Sequence, residues 1–207
     1  MNELQALINE TPGAALLLAV MLAASLVGLL KAPGLIDRNL FCPHWLVPRN
    51  QYLTLITSGF LHADLAHLLF NAFTFWAFAF GLERTVGTPA FLALYFFGLL
   101  ASDAGTWFKH RDDPEYRSLG ASGAILAVLF ASILYHPASS IYILPIPVPI
   151  PAPLFALGYL AYSYYASRQS RGRVNHDAHL AGAIAGVAFV AITDWPTLVQ
   201  ALRSFIG

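Results

Sequence analysis

The chain has 207 residues, of which 57% are hydrophobic and 11% charged, a formal net charge of zero and a mean hydropathy of +0.62. A soluble domain carries about 25% charged residues, so this chain lacks the polar surface to cover itself in water and reads as a multi-pass integral membrane protein. The zero net charge gives no footing for nucleic acid, and the single cysteine, Cys42, excludes an internal disulfide and a cysteine-based metal site.

A membrane-spanning helix needs roughly 20 mostly apolar residues. Six segments approach that requirement, at about 13–30, 64–82, 88–107, 120–135, 151–167 and 178–193, and the expectation is one membrane domain over 1–207. The N-terminal "MNELQALINETPG" carries Glu3 and Glu10 and no Lys or Arg, unlike the basic start of a signal peptide. Thr11-Pro12 leads into the first segment, and Pro89 suits the first turn of the third. The sixth ends at Asp194 and Pro196, and a seventh stretch, 197–206, is too short to span. The segments lack the alternation of a membrane β-barrel, so the fold class is all-α, a polytopic membrane helix bundle with six spanning helices.

The connections differ in character. The first, 31–63, is long and half apolar, and Trp45 and Tyr52 suit an interfacial position. The third, "FKHRDDPEYRSL", and the fifth, "RQSRGRVNHD", are polar. The fourth contains "LPIPVPIPAP", with proline at 145, 147, 149, 151 and 153. Alternating proline cannot form regular helix, so this is expected to be an extended strap between the fourth and fifth helices. The intervening Ile and Val point to burial at the membrane edge rather than to recruitment of a partner domain.

Polar side chains inside apolar segments carry the functional reading, because lipid cannot satisfy them. "HADLAHLLFN" places His67 and Asn71 at i, i+4 on one helix face, with His62 just ahead. "GASGAIL" places Ser122 between Gly120 and Gly123, ahead of a small-residue stripe formed by Gly123, Ala127 and Ala131. "NHDAHLAGAIAG" places His179 ahead of a Gly182-x-x-x-Gly186 pair that allows close helix approach, while His176 and Asp177 precede it with solvent as the default partner. Taken singly, His67 and Asn71 fit interhelical packing, and Ser122 fits a helix cap. Taken together, all three clusters begin the second, fourth and sixth segments, which share one membrane side in an alternating bundle. A serine hydroxyl is a weak nucleophile until a base takes its proton, and histidine is the usual base. Acyl transfer also needs donors for the developing oxyanion, which the Asn71 amide, the His67 N–H and the Ser122 backbone N–H could supply. No carboxylate lies inside those three helices. Asp103, in the third, belongs nearer the third connection, and the preferred arrangement is a Ser122–His179 dyad.

At these residues the sequence resembles the rhomboid family of intramembrane serine proteases. The resemblance rests on "FLHADLAHLLFNAFTFWAFAFGLERTVG", with Gly81, Glu83 and Gly87, and on Tyr95, "GASGA" and "NHDAHLAGAIAG", and covers about residues 50–190. It implies Ser122 as nucleophile, His179 as general base, and His67, Asn71 and Ser122 as the oxyanion hole. It implies no metal and no cofactor. The partners it implies are transmembrane protein substrates and the lipid bilayer, and the location is a bacterial inner (cell) membrane. It also implies six helices around a water-filled cavity, with a half-immersed first loop.

Two positions depart from patterns within the family. Leu126 stands four after the serine, where some members have an aromatic that stacks on the histidine. Leu53-Thr54 stands where some have Trp-Arg. Members usually face the active site outward, yet Lys31, Arg38, Arg49, Lys109, Arg111, Arg117, Arg168, Arg171 and Arg173 lie on that side, against Arg84 and Arg203 on the other. The positive-inside rule therefore points the opposite way. The alternative function is a non-proteolytic rhomboid-like binding or sorting factor, although such relatives typically lose the serine or the histidine. A small transporter would predict repeated halves with broken helices, and no internal repeat is present.

Overall fold

A computed structural model describes residues 3–143, 146–169 and 174–206; Pro145 of the strap and Arg171 and Arg173 of the fifth connection lie outside them. In chain order the helices are α1 (Glu3–Glu10), α2 (Pro12–Leu30), α3 (Pro33–Asn39), α4 (Thr54–Thr57), α5 (Leu65–Val86), α6 (Thr88–His110) and α7 (Ser122–Tyr135). Strands β1 (Ser140–Ile143) and β2 (Ile146–Pro151) follow, then α8 (Ala152–Gln169), α9 (His176–Thr193) and α10 (Trp195–Ile206). The six apolar segments are α2, α5, α6, α7, α8 and α9. By length and composition α2, α5, α6 and α9 can each cross a membrane, and α7 is a shorter apolar helix.

Local chemistry sets the helix starts. Pro12 opens α2, where its missing N–H costs nothing. Asp64 caps α5 by accepting from His67 N at 2.8 Å, and Asn175 caps α9 by accepting from Ala178 N at 3.0 Å. Each such cap contributes about 1 kcal/mol.

α7 is the centre of the bundle, and every residue from Gly123 to Leu134 is buried. It packs against α9, α6 and α5. The α7–α9 seam is backbone against backbone. A Cβ on Gly182 would overlap the Gly123 carbonyl, and one on Gly186 would overlap the Ala127 carbonyl. Outside, these helices show Leu16, Leu69, Phe70, Trp76, Leu157, Ile184 and Ile192. Together with the buried small residues, that apolar exterior is the surface a bilayer requires and water penalises.

α2 is fastened to the far end of α5 by a carboxylate. Glu83, buried, accepts from Gly13 N at 2.9 Å, Ala14 N at 2.6 Å and Thr88 Oγ1 at 2.6 Å. The helix start and the acid satisfy each other, as a positive helix terminus favours. The first connection folds back on the third through Phe41 N to Ser118 O (2.9 Å) and Ser118 N to Phe41 O (3.0 Å).

The proline run is extended over Ile146–Pro151, as expected, but it is paired rather than a lone strap, and Pro153 lies in the first turn of α8. β1 and β2 form an antiparallel hairpin with Ser140 opposite Pro151 and Ile141 opposite Ile150. The amides that the pairing needs belong to the residues between the prolines, while the prolines turn their missing donors to the outer edge. That edge cannot template another strand. The short tail 197–206 is within α10, which buries Leu198 and Ala201 against the bundle.

Candidate active site

The heads of α5, α7 and α9 meet on one side of the bundle. Ser122 is the first residue of α7, and its Oγ lies 2.8 Å from His179 Nε2 on α9. The glycine seam makes this contact possible, because only bare backbone lets α9 come close enough to α7 for a serine to reach an imidazole. The second ring nitrogen, His179 Nδ1, lies 3.0 Å from the hydroxyl of Tyr159 on α8. No carboxylate completes a triad among the described residues. Asp103 instead lines a small polar chamber beside Ser122, with Ser58, Ser102, Ser118 and Asn175, and its Oδ2 is buried without a partner among the described residues.

His67 and Asn71 close the third side. Gly120 stands at φ +118, a left-handed conformation that favours glycine. A Cβ there would come 2.7 Å from His67 Cε1 and 3.6 Å from Asn71 Nδ2, so the absent side chain leaves open the space in front of both groups. Asn71 is not free to turn. Its Nδ2 donates to His62 Nε2 at 2.7 Å, and His62 Nδ1 meets Ser25 Oγ at 2.8 Å, which donates to Phe60 O at 2.9 Å. An amide nitrogen only donates, so His62 must be neutral at Nε2 and carry its proton on Nδ1. Burial agrees, pushing the His62 pKa down to about 3. One amide hydrogen of Asn71 is thereby spent on His62, and the other remains for the site.

The structure thus brings Ser122, His179, His67 and Asn71 to one locus. It leaves His176 outside: that ring stands edge-on 5.9 Å from His179, and its Nδ1 is buried without a partner among the described residues. Asp177, expected in solvent, is not there. It sits in the first turn of α9 and pairs with Lys109 Nζ at 2.8 Å and His110 Nε2 at 3.0 Å, and Lys109 also donates to Ser167 O on α8. α6 ends beside the start of α9, so Lys109 and His110 at its terminus meet that acid. Sequence reasoning also missed Tyr159, Ser25 and the link from His62 to Asn71. The spacing of His62 ahead of His67 is the one signal that pointed toward any of them.

The family model for the rhomboid domain matches residues 49–195, and this chain belongs to the rhomboid family. It is 29% identical over 158 residues to RHOMBOID-like protein 12, mitochondrial, of Arabidopsis thaliana, a match covering 67% of this chain and 46% of that protein. It is 31% identical over 144 residues to presenilin-associated rhomboid-like protein A, mitochondrial, of Danio rerio, covering 69% and 38%. It is 38% identical over 89 residues to the putative rhomboid protease YdcA of Bacillus subtilis, covering 43% of each. The matched part spans less than half the length of each of these relatives.

Proposed function

We propose that the chain is an intramembrane serine endopeptidase that cuts transmembrane protein substrates with a Ser122–His179 dyad. The observation that carries the reading is the 2.8 Å contact between Ser122 Oγ and His179 Nε2, made across two helices with the other ring nitrogen already engaged. His179 Nε2 takes the proton as Ser122 Oγ attacks the scissile carbonyl, then passes it to the departing amine. Water attacks the resulting acyl ester, and the same histidine serves as base and then as acid. The oxyanion is met by the Ser122 backbone N–H at the start of α7, the His67 ring N–H and the free amide hydrogen of Asn71. Loss of the serine or the histidine would favour a non-proteolytic relative, and here both are present and in contact.

The geometry of α7 supports cleavage below the membrane surface. Its 14 residues make a helix about 21 Å long, against a hydrocarbon core about 30 Å thick. Substrate is expected to enter sideways past α8, which buries only Ala152 and Ser163 and is the least embedded of the helices around the site. A peptide bond inside a helix is shielded, so helix-breaking residues near the scissile bond should promote cleavage. Two of the relatives have mitochondrial names and one is bacterial, so the compartment assigned is an integral membrane and no particular organelle.

A serine-directed fluorophosphonate tests the reading in detergent. Ser122 should be labelled in the wild-type chain and not in Ser122→Ala or His179→Ala, both of which should remain folded. A folded wild-type chain that resists labelling, or cleavage of a membrane substrate by pure Ser122→Ala, would refute the assignment.

A further inference from the structure

We infer that Tyr159 and Ser163 of α8 form a proton-ordered relay that selects the working tautomer of His179, so the dyad is complete only while α8 is seated. The inference rests on the serine-protease reading and deepens it.

The hydrogen-bond bookkeeping leads there directly. For His179 Nε2 to accept from Ser122 Oγ, the ring proton must be on Nδ1. Nδ1 then has to donate, and the only group within reach among the described residues is the Tyr159 hydroxyl at 3.0 Å. A phenol that accepts from Nδ1 must send its own proton elsewhere. Ser163 lies one turn further along the same face of α8, fully buried, and is the hydroxyl beside Tyr159. The Tyr159–Ser163 approach falls short of full hydrogen-bond geometry, so Ser163 Oγ has no completed partner among the described residues. A turn of the serine side chain completes it. The order is then Ser122 O–H to His179 Nε2, Nδ1–H to Tyr159 Oη, and Tyr159 O–H to Ser163 Oγ. Without Ser163 the phenol proton turns back onto Nδ1. That selects the tautomer protonated at Nε2, which cannot take the serine proton.

Tyr159 also fills the role that Leu126 cannot. Its ring packs between Phe155 and Phe130, with centroids 5.7 and 6.0 Å away, which fixes where the hydroxyl points. Because Tyr159 rides on α8, the same helix that yields to substrate also holds the base. Displacement of α8 withdraws the Nδ1 acceptor, and its return restores it, so substrate entry and catalytic competence are alternated by one element. Tyr159 and Ser163 are positioning residues, since neither touches the scissile bond.

The test compares the full-length wild type with Tyr159→Phe, Ser163→Ala and the double variant. Three quantities are read: the rate of Ser122 labelling by fluorophosphonate, kcat and KM on a membrane substrate, and thermal unfolding. Tyr159→Phe keeps the ring and removes the hydroxyl. It should slow labelling and lower kcat by about ten- to a hundredfold, the range seen when the group orienting a metal-bound histidine is lost, with KM and unfolding unchanged. Ser163→Ala should be slowed at least as much as Tyr159→Phe, because the phenol proton then turns onto Nδ1 and holds the idle tautomer. The double variant should be no slower than Tyr159→Phe alone, because the two act in series. Labelling at the wild-type rate by folded Tyr159→Phe, or full additivity of the two substitutions, would overturn the relay. Failure of the wild type itself to label would instead count against the protease reading.

Discussion

α9 meets α7 with its backbone, Gly182 and Gly186 lying against the carbonyls of Gly123 and Ala127. α8 meets the same neighbourhood with side chains, and among its described residues only Ala152 and Ser163 are buried. Both helices hold His179, one by carrying it and the other through the Tyr159 hydroxyl. On the proposed function, the contrast separates two demands on a buried hydrolytic site. The proposed nucleophile and base must stay within hydrogen-bond reach, and they sit on a seam with no side chains to rearrange. The substrate must also get in, so one wall has to be built from contacts that are weak one at a time.

The largest effect should come from breaking the seam. Gly182→Val places a branched side chain into the Gly123 carbonyl, and no rotamer relieves a clash with backbone. Overpacking a core costs about 1–3 kcal/mol or more, and here α9 must move bodily. We expect loss of folded protein in thermal unfolding and loss of Ser122 labelling together. Labelling that survives would show the seam to be soft.

Locking the α8 wall should separate two activities. Phe78 of α5 and Phe155 of α8 border one apolar cluster. Cysteines at these positions, joined by a short bifunctional reagent in a Cys42→Ala background, should block cleavage of a bilayer-embedded substrate and leave fluorophosphonate labelling near the wild-type rate. Unchanged cleavage after complete cross-linking would move the entrance elsewhere.

Asn71→Ala should lower turnover by about a hundred- to a thousandfold, the usual cost of one oxyanion donor, with less effect on KM. His67 and the Ser122 backbone remain, so the lower end is expected. If Asn71 served packing alone, thermal stability would fall and turnover per folded molecule would hold.

The smallest effect belongs to the lipid face of α8. Leu157 is exposed, and Leu157→Ala should change stability by less than about 0.5 kcal/mol, as is usual for exposed positions. A large loss of stability there would mean that α8 is more firmly seated than its burial indicates.

Much of this contrast was legible in the chain itself. Six apolar runs marked six helices, four of them long and apolar enough to cross a membrane, and polar residues inside them stood out because lipid makes them costly. The pair Gly182 and Gly186 announced a close contact, and Ser122, His179, His67 and Asn71 converged because they begin alternate helices. What escaped notice depends on rotation about helix axes. Tyr159 shares α8 with Tyr162, Tyr164 and Tyr165, and no spacing rule says which of four tyrosines faces His179. Asp177 looked solvated because its partners, Lys109 and His110, are remote in sequence. The proline run was readable as extended, but its partner Ser140–Ile143 is four residues long and carries too little pattern to predict a hairpin.

α2 lies wholly ahead of the region that the rhomboid family model covers, yet it supplies groups on which that region depends. Ser25 anchors His62, which anchors Asn71. The amides of Gly13 and Ala14 donate to the buried Glu83 carboxyl group. A chain trimmed to residues 49–195 would leave an imidazole without its acceptor at one end and a carboxylate without two of its donors at the other. Each orphaned buried group costs about 1–3 kcal/mol, more where it is charged. Truncation at the boundary of the match would therefore remove part of the scaffold that holds Asn71, and a fragment that keeps these contacts must include Gly13 through Ser25.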